Sequence, residues 1–208
     1  ACAPFRRLHV CDRNLELMKP KKNRARHKLL LDVCLAAYYE AESLIPDYAQ
    51  YVAKYKDYGS TICTVLARSF ADIGDIVRGK DLYLGDKGEK KKLEENLKTI
   101  FGDIYEELIK NGRNGKLRTR YQHDGPHYYK LREDWWYANR HTVWKAMTCS
   151  EHLKNSAYFR QTCNDNGTLS DANHKCRCKD KIGKDDTDQV PTYFDYVPQY
   201  LRWFEEWA

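Results

Sequence analysis

The stretch Ile62-Cys-Thr-Val-Leu-Ala-Arg-Ser-Phe-Ala-Asp-Ile-Gly-Asp-Ile-Val-Arg-Gly-Lys-Asp-Leu-Tyr83 decides how the rest of this chain is read. Ile62, Val65, Leu66, Phe70, Ile73, Ile76 and Val77 recur at alternating steps of three and four, the spacing of one helix face. Gly74 lies inside that face, where glycine costs about 1 kcal/mol relative to alanine. Close approach of a neighbouring helix is one reason to keep it. Gly74-Asp-Ile-Val-Arg-Gly-Lys-Asp81 comes near a phosphate-binding loop, but Asp81 stands where a magnesium-ligating Ser or Thr is needed. Inside a helix the amides are already engaged, so the segment reads as core.

Working outward, Leu30, Val33, Cys34, Ala37, Ala41 and Leu44 mark a helix face between Arg24 and Ile45. Pro46 is expected to end or kink that helix, because proline lacks the amide hydrogen and crowds the preceding turn. Tyr48, Tyr51, Val52 and Tyr55 continue a helical spacing until Gly59. On the other side, a polar turn from Gly79 to Gly88 precedes a stripe of Leu93, Leu97, Ile100, Phe101, Ile104, Leu108 and Ile109. Asn111-Gly112 and Asn114-Gly115 then stop the helix and open a long loop. Leu131, Trp135, Ala138, Thr142 and Ala146 predict a helix from about Leu131 to Met147. From Cys149 to Gln189 the sequence is polar and without a sustained period. Pro198 suits the first turn of a last helix, made aromatic by Tyr200, Trp203, Phe204 and Trp207. No segment alternates as a strand should, and no internal repeat occurs. The fold class is mainly α: a disulfide-stapled helix bundle with long irregular loops.

The chain of 208 residues, with 42% hydrophobic and 32% charged residues, has the composition of a globular protein. No apolar run approaches the roughly 20 residues that cross a bilayer. Ala208 falls inside a helical pattern without a C-cap signal, and no signal peptide precedes Cys2, so a piece of a longer protein is expected. Cys2, Cys11, Cys34, Cys63, Cys149, Cys163, Cys176 and Cys178 form an even set, which favours disulfides in an oxidising compartment. All or nearly all are expected to be oxidised. Cys34 and Cys63 lie on consecutive helical segments, the last four concentrate around one loop, and Cys2 and Cys11 pair together or with cysteines upstream. The pairing itself stays open.

Several chemical motifs have ordinary structural readings. Cys176-Arg-Cys178, near Cys163, His152 and His174, has too short a spacing for a structural zinc pair. His123, Asp124 and His127 lack a nucleophile motif and read as solvated loop. Trp135, Trp144, Trp203 and Trp207 read as core anchors, while Tyr121, Tyr128 and Tyr129 are secondary candidates for stacking on a ligand. No catalytic constellation, cofactor motif or metal set stands out, so an enzyme is not expected. The net charge of +6 favours acidic partners. Two cationic clusters carry it: Lys19, Lys21, Lys22, Arg24, Arg26 and Lys28 at the start of the first long helix, and Arg113, Lys116, Arg118 and Arg120 in the long loop that Asn111-Gly112 opens, between the fourth and fifth helices. A basic run at a helix N-terminus opposes the macrodipole, which favours a role toward a partner. Lys90, Lys91 and Lys92 are balanced by Glu89, Glu94 and Glu95 and read as a solvated face. Asn166-Gly-Thr168 is a glycosylation sequon and marks an exposed loop.

The Ile62–Tyr83 stretch is joined by Val190-Pro-Thr-Tyr-Phe-Asp-Tyr-Val-Pro-Gln-Tyr-Leu-Arg-Trp-Phe-Glu-Glu-Trp-Ala208, by Cys2-Ala-Pro-Phe-Arg-Arg-Leu-His-Val-Cys11, by Leu131-Arg-Glu-Asp-Trp-Trp136 and by Val143-Trp-Lys-Ala-Met-Thr-Cys149. Together these resemble the Duffy-binding-like adhesion domain, in the alpha class of the erythrocyte membrane protein 1 family of malaria parasites. The resemblance implies a helical domain in three subdomains. Residues 1–23 would end the first, 24–190 form the second, and 191–208 open the third. It implies a monomeric adhesin domain on the extracellular face of the infected red cell, antigenically variable and active in rosetting. Its partners would be a host receptor or a sulfated or sialylated glycan, not nucleic acid, and it would meet the membrane only through other parts of the parent protein. The two basic clusters are the expected contact residues. Arg68 and Arg202, inside shared motifs, are expected to serve the scaffold. A Duffy-binding-like invasion ligand and a secreted helical enzyme are the rival readings.

Overall fold

The computed structural model describes residues 2–18, 25–56, 61–83, 85, 87–110, 115–165, 168–179, 185–186 and 190–207. Two short helices, α1 (Phe5–Leu8) and α2 (Arg13–Glu16), precede the long α3 (Ala25–Tyr55) and the central α4 (Ile62–Arg78). Then follow α5 (Lys87–Lys110), α6 (Gly115–Arg120), α7 (Tyr129–Met147) and, near the end, α8 (Gln199–Trp207).

Helix α4 begins where the Thr61 hydroxyl accepts from the Thr64 amide at 3.3 Å. It ends at Gly79, whose φ of 72° lies in the left-handed region that only glycine enters at no steric cost. Nearly every residue between them is buried, because α3 and α7 flank α4 along its length while α1 and α8 cover the remainder. Gly74 is the point of closest approach: a Cβ there would stand 2.7 Å from Trp136 Cζ2 on α7. Phe70 completes the contact, its ring centroid 5.1 Å from that of Trp136 and 5.2 Å from that of Trp144. The close approach anticipated at Gly74 is therefore a real helix crossing.

Pro46 does not end the helix expected to stop at Ile45. One helix runs from Ala25 to Tyr55 with Pro46 inside it. The ring sits on an exposed position of that helix. Nor is the segment after residue 114 wholly a loop, since Gly115–Arg120 forms α6. In α7 the buried side is broader than the expected stripe. It adds Arg132, Trp136, Arg140, Val143, Trp144 and Met147, and leaves Ala138 exposed.

The polar region after Cys149 contains two small antiparallel hairpins. β1 (Cys163–Asp165) pairs with β2 (Thr168–Ser170), and β3 (Cys178–Lys179) with β4 (Asp185–Asp186). Strands of two or three residues are too short to declare a period of two. Cys163–Cys178 staples the hairpins together, and Cys63–Cys176 ties them to the first turn of α4. Against the expectation of near-complete oxidation, Cys2, Cys11, Cys34 and Cys149 carry free thiols. Cysteine count and compartment do not fix which thiols meet. Burial pushes the Cys34 thiol up to about 11, and burial with Glu40 beside it does the same for Cys11. Both stay protonated and are poor nucleophiles for disulfide exchange.

Candidate receptor-binding surface

Charge in this molecule falls into two populations, and the buried one holds the scaffold. On α4, Asp72 and Asp75 both receive Arg202 of α8, at 2.8 and 2.5 Å, and Asp72 also receives Arg6 of α1 at 2.8 Å. Burial alone would raise the Asp72 carboxyl, but Arg6 and Arg202 outweigh it and hold the group below the usual carboxylate range. At Asp75 burial prevails over Arg202 and Arg78 and the carboxyl is pushed up. Arg132 of α7 donates to the carbonyls of Val77 and Ile76 at 2.6 and 3.1 Å, placing a cation at the negative end of α4. Asp195 accepts Arg140 through both oxygens, at 2.7 and 2.8 Å, and the Trp136 indole at 2.9 Å. Arg202 therefore belongs to the scaffold, as its motif implied, whereas Arg68 is only half-buried.

The second population faces solvent. Of the first basic cluster, Arg26 is exposed and Lys28 half-buried in the first turns of α3, while Lys19, Lys21, Lys22 and Arg24 lie outside the described residues. Of the second, Lys116 and Arg118 are exposed on α6, and Arg113 lies outside the described residues. Arg120 is partly engaged, because it forks onto Asp134 of α7 at 2.7 and 2.8 Å. That hydrogen bond, with a second from the Tyr121 hydroxyl at 2.7 Å, holds the Asp134 carboxyl below its ordinary range. Helices α3 and α6 each pack against α5. Lys91 and Lys92 are exposed as expected. Lys90 is not an ordinary solvated residue: its ammonium donates to the carbonyls of Asp81 and Tyr83.

The other singled-out residues resolve into packing. Asp124 accepts from the amides of Lys130 and Leu131 at 2.9 and 2.8 Å, which anchors the start of α7. Tyr121 is buried, Tyr128 packs on Tyr105, and Tyr129 remains half exposed with His127 stacked on it at 5.2 Å. Trp135, Trp144 and Trp203 are core residues, but Trp207 is 54% exposed. Sequence periodicity misses Trp136, which is fully buried; its neighbour Trp135 takes the predicted face, and only the Gly74 gap marks the second indole's place. A cavity of about 350 Å³ opens between α1, α5 and the end of α4. Asp12, Glu16, Asp81 and Glu94 outnumber Arg7 and Lys90 in its wall, so it disfavours an acidic ligand.

A sequence profile of the Duffy binding domain matches residues 1–202. The chain belongs to the Duffy binding domain family. The NTS-DBL1(alpha-1) domain of Plasmodium falciparum membrane protein 1 (PfEMP1) from the varO strain is 43% identical and superposes with a TM-score of 0.76, covering 100% of this chain and 43% of that one. A PfEMP1 DBLbeta domain, IT4var13, solved bound to ICAM-1, is 36% identical with a TM-score of 0.68, covering 100% of this chain and 44% of that one. Among curated proteins, the Duffy receptor of Plasmodium vivax (strain Salvador I) is 24% identical over 196 residues, 92% of this chain and 16% of that protein. This chain thus spans under half of the solved relatives and about a sixth of the curated one. The resemblance to the alpha class and the disulfide-stapled helical fold both hold.

Proposed function

We propose that this chain is the central part of an alpha-class Duffy-binding-like domain that acts as an adhesin on the extracellular face of the infected red cell, and that it binds a host receptor or an acidic glycan without catalysing a reaction. Identity of 43% along the whole chain to a DBL1-alpha domain carries this reading. The ICAM-1 complex of a 36% identical DBLbeta domain supports receptor binding as the kind of activity. The lower identity of 24% to the Duffy receptor favours the adhesin over the invasion ligand. The division at residues 23 and 190 into three subdomains belongs to the same reading.

In this mechanism the buried ion network keeps the scaffold rigid, and the basic clusters at α3 and α6 carry the contact. Affinity comes from several modest charge contacts, each screened by salt beyond a Debye length of about 8 Å. Lys116 and Arg118 contribute more than Arg120, whose guanidinium is shared with Asp134. Retention on immobilised heparin across a salt gradient tests the assignment. Neutralising Lys19, Lys21, Lys22, Arg24, Arg26 and Lys28 together, or Arg113, Lys116 and Arg118 together, is expected to lower the eluting salt more per charge than neutralising Lys91 and Lys92. Equal loss per charge from all three sets would mean diffuse attraction by net charge and overturn the site.

A further inference from the structure

The cavity between α1, α5 and the end of α4 joins an apolar floor to a charged rim. Val10, Ile76, Leu93 and Leu97 supply the floor, and all four are buried. Leu8 and Tyr129 also line the cavity and are 42% and 50% exposed, so they stand toward its opening. At about 350 Å³ the space lies at the small end of ligand pockets, which run from about 300 to 1,000 Å³.

One wall is already held in place. Arg7 donates to both oxygens of Asp81, at 3.2 and 2.6 Å, and its guanidinium lies 4.8 Å from the centre of the Tyr83 ring. The Lys90 ammonium donates to the carbonyls of Asp81 and Tyr83. The 81–83 segment is therefore fixed before any ligand arrives, which removes an ordering cost from binding.

The polar part of the wall has a sign. Asp12, Glu16, Asp81 and Glu94 line the cavity with Arg7 and Lys90, and Arg132 reaches Glu94 from α7 at 2.7 Å. Four carboxylates against three cations leave one negative charge in excess among the described residues. An apolar floor lowers the local dielectric and lets that charge act more strongly than it would in water. His127 supplies a second, independent signal. It lines the cavity and stacks on Tyr129 with ring centroids 5.2 Å apart, and its Nδ1 is buried without a hydrogen-bond partner. In the tautomer protonated at Nε2 this nitrogen is an acceptor, and leaving it unmet costs free energy.

An acidic ligand is repelled by such a wall, and a neutral apolar one leaves its charge unanswered. An ammonium on an apolar body answers the floor, the charge and the imidazole together. We propose that this cavity binds a small organic cation, a protonated amine carried on a compact apolar ring system. None of its lining residues belongs to the basic clusters assigned to the receptor or glycan, so the two ligands do not compete for side chains.

Three matched indoles test the proposal on the intact chain. Tryptamine, tryptophol and indole-3-propionate carry an ammonium, a hydroxyl and a carboxylate on the same two-carbon arm. Each is titrated into isotope-labelled protein and followed by NMR. Tryptamine is expected to bind with a Kd of about 1 mM, the level set by its few heavy atoms. Tryptophol should bind about tenfold more weakly, and indole-3-propionate more weakly still. Nuclear Overhauser contacts should join the indole ring of tryptamine to the methyl groups of Leu93 and Leu97. Glu16→Gln should weaken tryptamine about threefold and leave tryptophol unchanged. His127→Phe, which keeps a ring to stack on Tyr129, should weaken tryptamine by a similar factor. Absence of contacts to Leu93 and Leu97 would overturn the proposal. Equal affinity for all three indoles, or tightest binding of the carboxylate, would overturn it as well. The wild-type series decides the charge preference by itself, so a variant that folds poorly does not remove the test.

Discussion

Helices α4 and α6 are both dense in charge and use it in opposite ways. On α4, Asp72, Asp75 and Arg78 are buried and each meets charge from another element. On α6 no residue is buried, and Lys116 and Arg118 face solvent. A buried ion whose partner is removed keeps its desolvation cost, whereas an exposed one is repaid by water. The same side-chain types therefore fix the fold in one place and are available to a ligand in the other.

The sharpest way to break that contrast is to remove one ion from α4's surroundings. Arg202→Met is expected to cost about 3–5 kcal/mol, because it strips a cation from two buried carboxylates. Urea unfolding measures it. Asp72→Asn should cost a similar amount and also change the acid limb. The Asp72 carboxyl lies below its unfolded value, so its contribution is complete above the ordinary carboxylate range and is lost as pH falls through the folded value. Asp75 works in the reverse sense: its raised value makes it a smaller liability as pH falls. In Asp72→Asn the loss of stability below about pH 4 should be shallower than in the wild type. An unchanged acid slope would show that other groups set it.

Opening the Cys63–Cys176 bridge by a double serine substitution is expected to cost about 2–5 kcal/mol, since it releases a closed loop of 113 residues. Thermal melting of that variant should still show a single transition, because α4 keeps its helical neighbours. Gly74→Ala comes next, at about 1–3 kcal/mol, because the added methyl meets the Trp136 ring. A neutral result would mean that the indole has room to retreat. At the small end, Lys116→Gln with Arg118→Gln should alter stability by no more than about 0.5 kcal/mol. If heparin retention is equally unmoved, α6 is excluded from the ligand surface.

Much of the helical frame was legible because α4, α5 and α7 must bury apolar faces, and burial writes a period of 3.6 into the sequence. The Gly74 gap was legible for the same reason: a glycine at a face centre has no other local use. Arg140 and Arg132 were not legible as core, because a buried arginine is marked by partners distant in sequence, here Asp195 and Glu94. The continuation of α3 through Pro46 depended on which way the ring faced, a tertiary fact. Cysteine pairing was invisible, since spacing along the chain does not constrain approach in space. Of the basic residues, sequence located the clusters, but not that Arg120 is shared with Asp134 or that Lys90 is tied to the backbone of the 81–83 segment.

The Trp207 indole donates to the carbonyl of Cys2 at 3.0 Å, so the two ends of the described chain meet although 205 residues separate them. A force that parts Cys2 from Trp207 meets the edge between α1 and α8 first, not the length of the bundle. It enters at α1, crosses the Arg6–Asp72–Arg202 junction and leaves by α8, while α3, α5 and α7 stay outside the line of force. The load would thus fall on a few charge-assisted bonds at one edge, and the exposed faces of α3, α5 and α7 would keep their shape under tension.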